Sequence, residues 1–538
     1  MATVLLQRLL EFGLAGLPDF DGGFAIAWYD GRCRRLTLAR DPFGMEPLFY
    51  RLRGSRLEYA SRALDLAGDD PSVPCLEGLA EYLTWCFLPG EHTLHEGVRS
   101  LLPGEAVSVG DEDLRIRREP WYQLSFSEHP NTDERAIAEH FRNLLEAAVV
   151  RSLDGGRLGA FISGGMDSSS VLSFARRHRP GVDLRTYSYR CSGESFDESP
   201  FARAMAAAAG SLHRELEFAE ADASDIRSAV AAMDQPLCDI GLEQASWMVG
   251  AAAEGEVDVI LTGDGGDEMW ASHPVYAAQR MLRLYDRLPL PGWSRRAMTR
   301  VADALPDSDR KRDWRVKLKR FLPNPALPVE LGPWRWRAYY TPVSLRSLLE
   351  PKFAEALGDV DPYRCVLGGL DGYQGPGDDL TVHLYGDYKR LVPFHFRRLG
   401  MLRRFGLEMR HPFYDRELVE FMARVPIRLK LEGVERTKRL FRMAMKDVLP
   451  DVINRRSDKL GLSIPLKNWL RSGSVLPGSL EVTCSEQAVR ERGLFRPEAV
   501  ARLLYEHRSR RHNHSHRIWA IHVLERWLQA REGRVSGV

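Results

Sequence analysis

The sequence has no long apolar run, no paired cysteines and no surplus of either charge, and each absence removes a class of protein. No window of its 538 residues approaches eighteen consecutive apolar residues, and Arg8 and Glu11 interrupt the first stretch. Neither a membrane span nor a signal peptide is expected, so the reading is a cytoplasmic protein without a membrane partner. The seven cysteines, Cys33, Cys75, Cys86, Cys191, Cys238, Cys365 and Cys484, are odd in number and form no C-x-x-C pair, which argues against a disulfide framework or a zinc knuckle. Lys plus Arg number 75 against 74 for Asp plus Glu, a formal charge of +1. No global field favours nucleic acid, and no nucleic-acid partner is expected. What is present, 44% hydrophobic and 28% charged residues, is ordinary globular usage spread over more than one domain.

Up to about residue 125 the pattern is that of strands. Short apolar or aromatic runs at 23–29, 35–39, 48–51 and 57–60 are separated by Asp30-Gly31, Asp41-Pro42-Phe43-Gly44 and Arg53-Gly54, which is turn chemistry and predicts a small antiparallel unit. From Glu134 the period becomes helical, with Ile137, His140, Phe141, Leu144, Leu145 and Val149 on one face, placing a boundary near residues 120–135. Strand-like runs at 158–163, 184–189, 213–218 and 257–262 then alternate with helical patterns at 168–178, 198–209, 222–233 and 243–254. That alternation predicts an α/β fold with a parallel sheet, whose ligands bind beyond the carboxyl ends of the strands. After residue 270 the reading is helical, with loose Pro- and Gly-rich passages at 287–335 and 366–379.

Two loops carry the chemistry. Ser163-Gly164-Gly165-Met166-Asp167-Ser168-Ser169 follows an apolar run and opens a helical pattern; glycines let the backbone approach an anion, and hydroxyls and amides gather at a helix start. This reads as a pyrophosphate cradle. Asp167 inside it would repel phosphate unaided, which calls for a bridging Mg²⁺. Thr262-Gly263-Asp264-Gly265-Gly266-Asp267-Glu268 ends a later strand, on the same sheet edge, so Asp267 supplies a second carboxylate and both loops face one nucleotide.

With Ser195-Phe-Asp-Glu-Ser199, Met233-Asp-Gln-Pro-Leu-Cys-Asp239, Gly406-Leu-Glu-Met-Arg-His-Pro-Phe-Tyr-Asp415 and Ser457-Asp-Lys-Leu-Gly-Leu-Ser-Ile-Pro465, this pair of loops resembles the synthetase domain of the glutamine-dependent asparagine synthetase family, which includes β-lactam synthetases and lasso peptide cyclases. Asp21-Gly-Gly-Phe-Ala-Ile-Ala-Trp-Tyr-Asp30, Ala39-Arg-Asp-Pro-Phe-Gly-Met-Glu-Pro-Leu-Phe-Tyr50 and Leu102-Pro-Gly104 resemble the later half of the family's N-terminal sandwich. The resemblance implies a degenerate glutaminase-like domain at 1–125, built as a truncated N-terminal nucleophile hydrolase sandwich, and an adenylating domain of the adenine nucleotide α-hydrolase type at 133–535. It implies ATP and Mg²⁺ as cofactors: a carboxylate attacks the α-phosphate, pyrophosphate leaves, and an amine opens the acyl-adenylate. Asp167 and Asp267 are carried over as Mg²⁺ ligands, Ser163, Gly164, Gly165, Ser168 and Ser169 as the pyrophosphate loop, and Phe161, Tyr189, Thr262 and Gly263 as nucleoside contacts. Lys459 matches a lysine beside the acyl-phosphate; with Asp264, placed to help deprotonate the amine, and Glu268 it makes up the expected catalytic group.

Family members that hydrolyse glutamine begin Met-Cys-Gly, and this chain begins Met1-Ala2-Thr3, so no glutaminase activity is expected. Leu399-Gly400 replace a polar and a basic residue of asparagine-forming relatives, among Arg397, Arg398, Arg403 and Arg404. An opened, basic site is expected, as in lasso peptide cyclases, which join an Asp or Glu side chain of a precursor peptide to its own N-terminal amine. A leader-binding protein and a leader peptidase are then the expected partners. The alternatives are an ammonia-dependent asparagine synthetase, a small-molecule lactam synthetase, or a nucleotide-binding pseudoenzyme. The basic run Arg310–Arg320 reads as a solvated helix with Trp314, Val316 and Leu318 partly buried, and His512-Asn-His-Ser-His516 as a charged loop before a terminal helix.

Overall fold

The computed structural model describes residues 2–68, 74–111, 115–128, 132–191, 197–310, 313–433, 436–456 and 464–533. Among the described residues of the first 120 there are seven strands: β1 (Ala25–Asp30), β2 (Arg35–Arg40), β3 (Phe49–Arg53), β4 (Arg56–Ala60), β5 (Arg99–Ser100), β6 (Glu105–Gly110) and β7 (Arg117–Pro120). They form two antiparallel sheets in the orders β1-β2-β6-β7 and β4-β3-β5. Leu38, Leu48, Tyr50, Leu101 and Val107 fill one small core of this unit. The segment between the sheets does not join that core. Helix Leu76–Trp85 and the following Cys86–Leu88 are buried in the larger core of the rest of the chain, where Trp85 meets Trp334 edge-on at 5.2 Å. The strand unit is thereby anchored to the second half by burial of large aromatic area.

The second half opens with α1 (Glu134–Arg151), capped by Asp133, which accepts from the Arg135 amide. Ile137, Phe141, Leu144, Leu145 and Val149 face the core as the period requires. His140 is the exception, exposed and edge-on to Phe421 at 4.5 Å. Strands β8 (Leu158–Phe161), β9 (Arg185–Arg190), β10 (Leu212–Glu217), β11 (Val259–Leu261) and β12 (Glu408–Arg410) then build one sheet in the order β10-β9-β8-β11-β12, every pair parallel. Helices α2 (Met166–His178), α3 (Ser199–Ala209) and α4 (Leu242–Ala253) cross between the strands. The chain runs outward from β8 through β9 to β10, then returns to the other side of β8 as β11. The strand order reverses there, and the crevice of a parallel sheet opens at such a point.

Three expectations are corrected. The helix anticipated at 222–233 is two short ones, Glu220–Ser224 and Arg227–Ala232, broken so that Ile226 can bury completely. The passage at 287–335 is not loose throughout, since it holds the helices Gly292–Ala304 and Trp314–Phe321; its prolines mark helix ends instead of dissolving the region. Trp314, expected to be partly buried, is 65% exposed.

Candidate functional site

The two glycine loops leave the sheet side by side. Leu158, Gly159 and Ala160 pair with Val259, Ile260 and Leu261, so both turns begin level with one another, at the switch point. Gly164 adopts φ +67°, and a Cβ there would lie 2.4 Å from the Phe201 Cβ and 2.7 Å from the Ala202 amide. Backbone conformation and the approach of α3 both demand glycine. Gly165 then caps α2 with no side-chain acceptor, which leaves the helix start to an anion. The Ser163 amide and hydroxyl lie 3.3 and 3.4 Å from the Ser168 Oγ. The Ser169 hydroxyl is buried without a hydrogen-bond partner.

The second loop closes on the first. A Cβ on Gly263 would stand 2.4 Å from the Ser168 amide nitrogen, and one on Gly266 would stand 2.3 Å from Asp167 Oδ1. These contacts bring Asp167, Ser168, Gly263 and Gly266 together, as a shared ligand requires. Asp267 lies beside them at the start of the short helix α5 (Gly266–Met269), its Oδ1 accepting from the Ser272 hydroxyl at 2.6 Å.

A residue that sequence reasoning missed joins the two acids. Lys438 Nζ donates to Asp167 Oδ1 at 2.6 Å and Oδ2 at 2.7 Å, and lies 2.7 Å from Asp267 Oδ1. Its side chain is 7% exposed, and its backbone takes φ +58°, unusual for a side chain this long. No motif marked it; a lysine in Arg436-Thr-Lys-Arg439 looks like any other cation. Lys459 lies outside the described residues. Arg456 reaches the same loop from the other side, donating to the Gly164 carbonyl at 3.3 Å, pairing with Glu198 and covering the Phe201 ring at 3.7 Å.

Deeper in, Arg398 on α6 (Val392–Gly400) spans two carboxylates, donating to Asp239 Oδ2 at 2.9 Å and to Asp264 Oδ1 at 3.2 Å. Burial works to raise the Asp264 carboxyl, but Arg398, then His395 and His411, draw it below its ordinary range. His395, also on α6, sets Nε2 3.0 Å from Glu268 Oε1 and Nδ1 3.7 Å from Asp264 Oδ1. Burial lowers its basicity, yet the charge of Glu268 and the hydrogen bond to it raise it above the usual imidazole value. Thr262 faces His411, Oγ1 to Nδ1 at 2.8 Å, and burial depresses His411 to about 4. Phe161 and Tyr189 both pack against the larger core near the ends of neighbouring strands, and the Tyr189 hydroxyl is buried without a partner.

The opened, basic character expected around Leu399-Gly400 is not found. Arg398 is 92–93% buried between its carboxylates, Arg397 reaches away to the Leu88 carbonyl, and Arg403 pairs with Glu46. Only Arg404 of the four is exposed without such a partner in view. In tertiary context three of these charges join elements. The histidine loop is likewise structural: His514 contacts Glu506 at 2.8 Å and His516 stacks on Tyr339 at 4.2 Å.

A family model described as asparagine synthase matches residues 140–529, and one for a glutamine amidotransferase domain matches residues 2–122. The chain is 28% identical over 533 residues to a putative glutamine-hydrolysing asparagine synthetase of Mycobacterium tuberculosis, covering 97% of this chain and 78% of that protein. It is 24% identical over 537 residues to the glutamine-hydrolysing asparagine synthetase 1 of Bacillus subtilis, with coverage of 97% and 80%. Amidase chyE of Penicillium rubens is 26% identical over 508 residues, with coverage of 87% and 73%.

Proposed function

The chain belongs to the asparagine synthase family, and from that premise we propose that it forms an isopeptide bond within a precursor peptide through an acyl-adenylate. ATP-dependent amidation is the property of the family; the peptide substrate is our reading. The observation that carries it is the meeting of the two glycine loops around Asp167, Lys438 and Asp267. Two carboxylates held on one ammonium are a pair that a divalent cation fits, since both already converge on a positive centre. Mg²⁺, bound by Asp167 and Asp267, would neutralise charge on the triphosphate. Ser163, Gly164, Gly165, Ser168 and Ser169 hold the departing pyrophosphate at the start of α2, while Phe161, Tyr189, Thr262 and Gly263 hold the nucleoside. The peptide carboxylate attacks the α-phosphorus, the bond to pyrophosphate breaks, and the amine then displaces AMP from the acyl carbon. Lys438, and Lys459 by its motif, offset negative charge as it builds on the phosphates.

The substrate class follows from charge. A free aspartate brings an α-carboxylate that needs a cation, but Arg398, the guanidinium between the two inner carboxylates, is committed to Asp239 and Asp264. A peptide side-chain carboxylate brings no such neighbour. Asp239, Asp264 and Glu268 together favour a cationic amine, such as a peptide N-terminus. No thiol among residues 1–125 is poised as a nucleophile: Cys75 is pushed up to about 12 by burial, Cys86 lies in the core and Cys33 at a hairpin turn. We assign the amine to the peptide. A leader-binding protein and a leader peptidase would deliver it. The second reading, an ammonia-dependent asparagine synthetase, draws on relatives named as glutamine-hydrolysing asparagine synthetases, which match 97% of the chain.

ATP–pyrophosphate exchange tests the assignment. Exchange is expected with a linear peptide bearing an internal Asp or Glu, followed by a product 18 mass units lighter, about the mass of one water lost on amide formation. Asparagine formed efficiently from aspartate and ammonium would sink the peptide reading. Absence of exchange with every carboxylate would favour a pseudoenzyme.

A further inference from the structure

We infer that His395 is the proton acceptor for the amine that opens the adenylate, an inference that rests on the acyl-adenylate reading above. Its Nε2–H side is engaged by Glu268 Oε1 at 3.0 Å, which fixes the tautomer and leaves Nδ1 bare. Nδ1 is buried and has no hydrogen-bond partner, with Asp264 Oδ1 3.7 Å away. A buried basic nitrogen held without a donor is costly unless something occupies the gap. The gap lies at Asp264, one residue beyond Gly263, which itself touches the first loop at Ser168. Nδ1 is thus enclosed beside the second loop, and the amine would reach it past Asp264.

Asp264 is the less suitable base. Arg398 holds it ionised and weakly basic, whereas the best proton acceptor titrates near the working pH. Around His395 stand Asp239, Asp264 and Glu268 as carboxylates, Arg398 as guanidinium and His411 as a second imidazole. The carboxylates outnumber the guanidinium, so they attract an ammonium and steady the imidazolium that follows. The step balances. The ammonium gives one proton to His395 Nδ1, and the neutral nitrogen bonds the acyl carbon. The carbon–oxygen bond to AMP breaks, AMP leaves with the electron pair, and its phosphate takes the nitrogen's second proton.

His395→Gln is measured beside the unsubstituted chain, with whichever of free aspartate, free glutamate or a linear Asp-containing peptide supports exchange. Amide formed from ammonium, divided by pyrophosphate exchanged, is expected to fall about 100-fold or more. With hydroxylamine, already unprotonated at neutral pH, the same ratio is expected to fall less than about 5-fold, because no base is needed to free the nucleophile. Equal loss with both amines, or equal loss of exchange and amide formation, would overturn the inference and make His395 structural. A wild-type ratio with ammonium would overturn it directly. Failure of the unsubstituted chain to exchange with any carboxylate removes the reading beneath it, a result separable from all of these.

Discussion

Lys438 donates to both oxygens of Asp167, at 2.6 and 2.7 Å, although 271 residues separate them in the chain. The same ammonium meets Asp267, so removing it takes one shared cation from two neighbouring carboxylates. Lys438→Met should lower exchange about 100-fold by taking a cation from the phosphate site. It should also destabilise the apoprotein by about 3 kcal/mol, the cost of breaking a buried pair. A thermal melt with and without MgCl₂ separates these effects. Mg²⁺ alone should stabilise the variant more than the parent, because the ammonium that competes with it for both carboxylates has been removed. An equal Mg²⁺ response in both would contradict the shared site.

The thiols give a second check. Cys33 is exposed, while burial pushes Cys191 and Cys484 up to about 12 and Cys238 and Cys365 well above their ordinary value. Thiolate is the reactive form, so Ellman's reagent at pH 8 should label one sulfur quickly in the native chain. Cys33→Ser should remove that phase and leave amide formation intact. Two or more fast thiols would refute the burial of the others.

Acid should unfold this protein early. Burial depresses His95, His273, His411 and His514 to about 4 and His507, His516 and His522 to about 3. Their unfolded value is about 6.5, so between there and their folded values the unfolded chain binds more protons. The stability they confer is full above pH 6.5 and is lost as pH falls through the folded values. Glu243, which burial raises to about 7, acts in the opposite sense, as do His395, His92 and the raised carboxyls of Asp41, Glu105, Asp234, Asp239, Asp387 and Asp415, but the histidines, whose unfolded value sits at the top of this pH window, set its sign. The melting temperature should drop by roughly 10 °C from pH 6.5 to 4.5. His516→Phe, which keeps a ring against Tyr339, should flatten the slope.

What was legible in the sequence shares one property. Glycines and acids at Gly164, Gly263, Gly266, Asp167 and Asp267 have no reason to sit at the end of an apolar run except a ligand or a close backbone approach, so local composition pointed to them. The parallel sheet was legible for the same reason, since its strands are apolar runs between helical periods. Strand β12 was not, because three residues hold no period, and Glu408–Arg410 pair only once β11 is in place. Lys438 and Arg398 were unreadable in role because the sequence holds 75 lysines and arginines. What distinguishes these two is a carboxylate brought from another element, and Arg398 looked like part of an open basic surface until its partners were known.

The contact between the loops can be tested with one methyl group. A Cβ on Gly263 would lie 2.4 Å from the Ser168 nitrogen and 2.7 Å from its Cα, backbone atoms that cannot swing aside as a side-chain tip would. Gly263→Ala must therefore push the two turns apart, at about 1–3 kcal/mol of stability for overpacking, and the shift falls on the atoms expected to grip pyrophosphate. Exchange should fall about 100-fold, since a misplacement near 1 Å is enough to do so. Gly181→Ala is the matched control, because that glycine has open space around its Cβ position. If Gly263→Ala exchanged as fast as Gly181→Ala, the loops would not need to touch in order to work, and a single ligand bridging them would lose its main support.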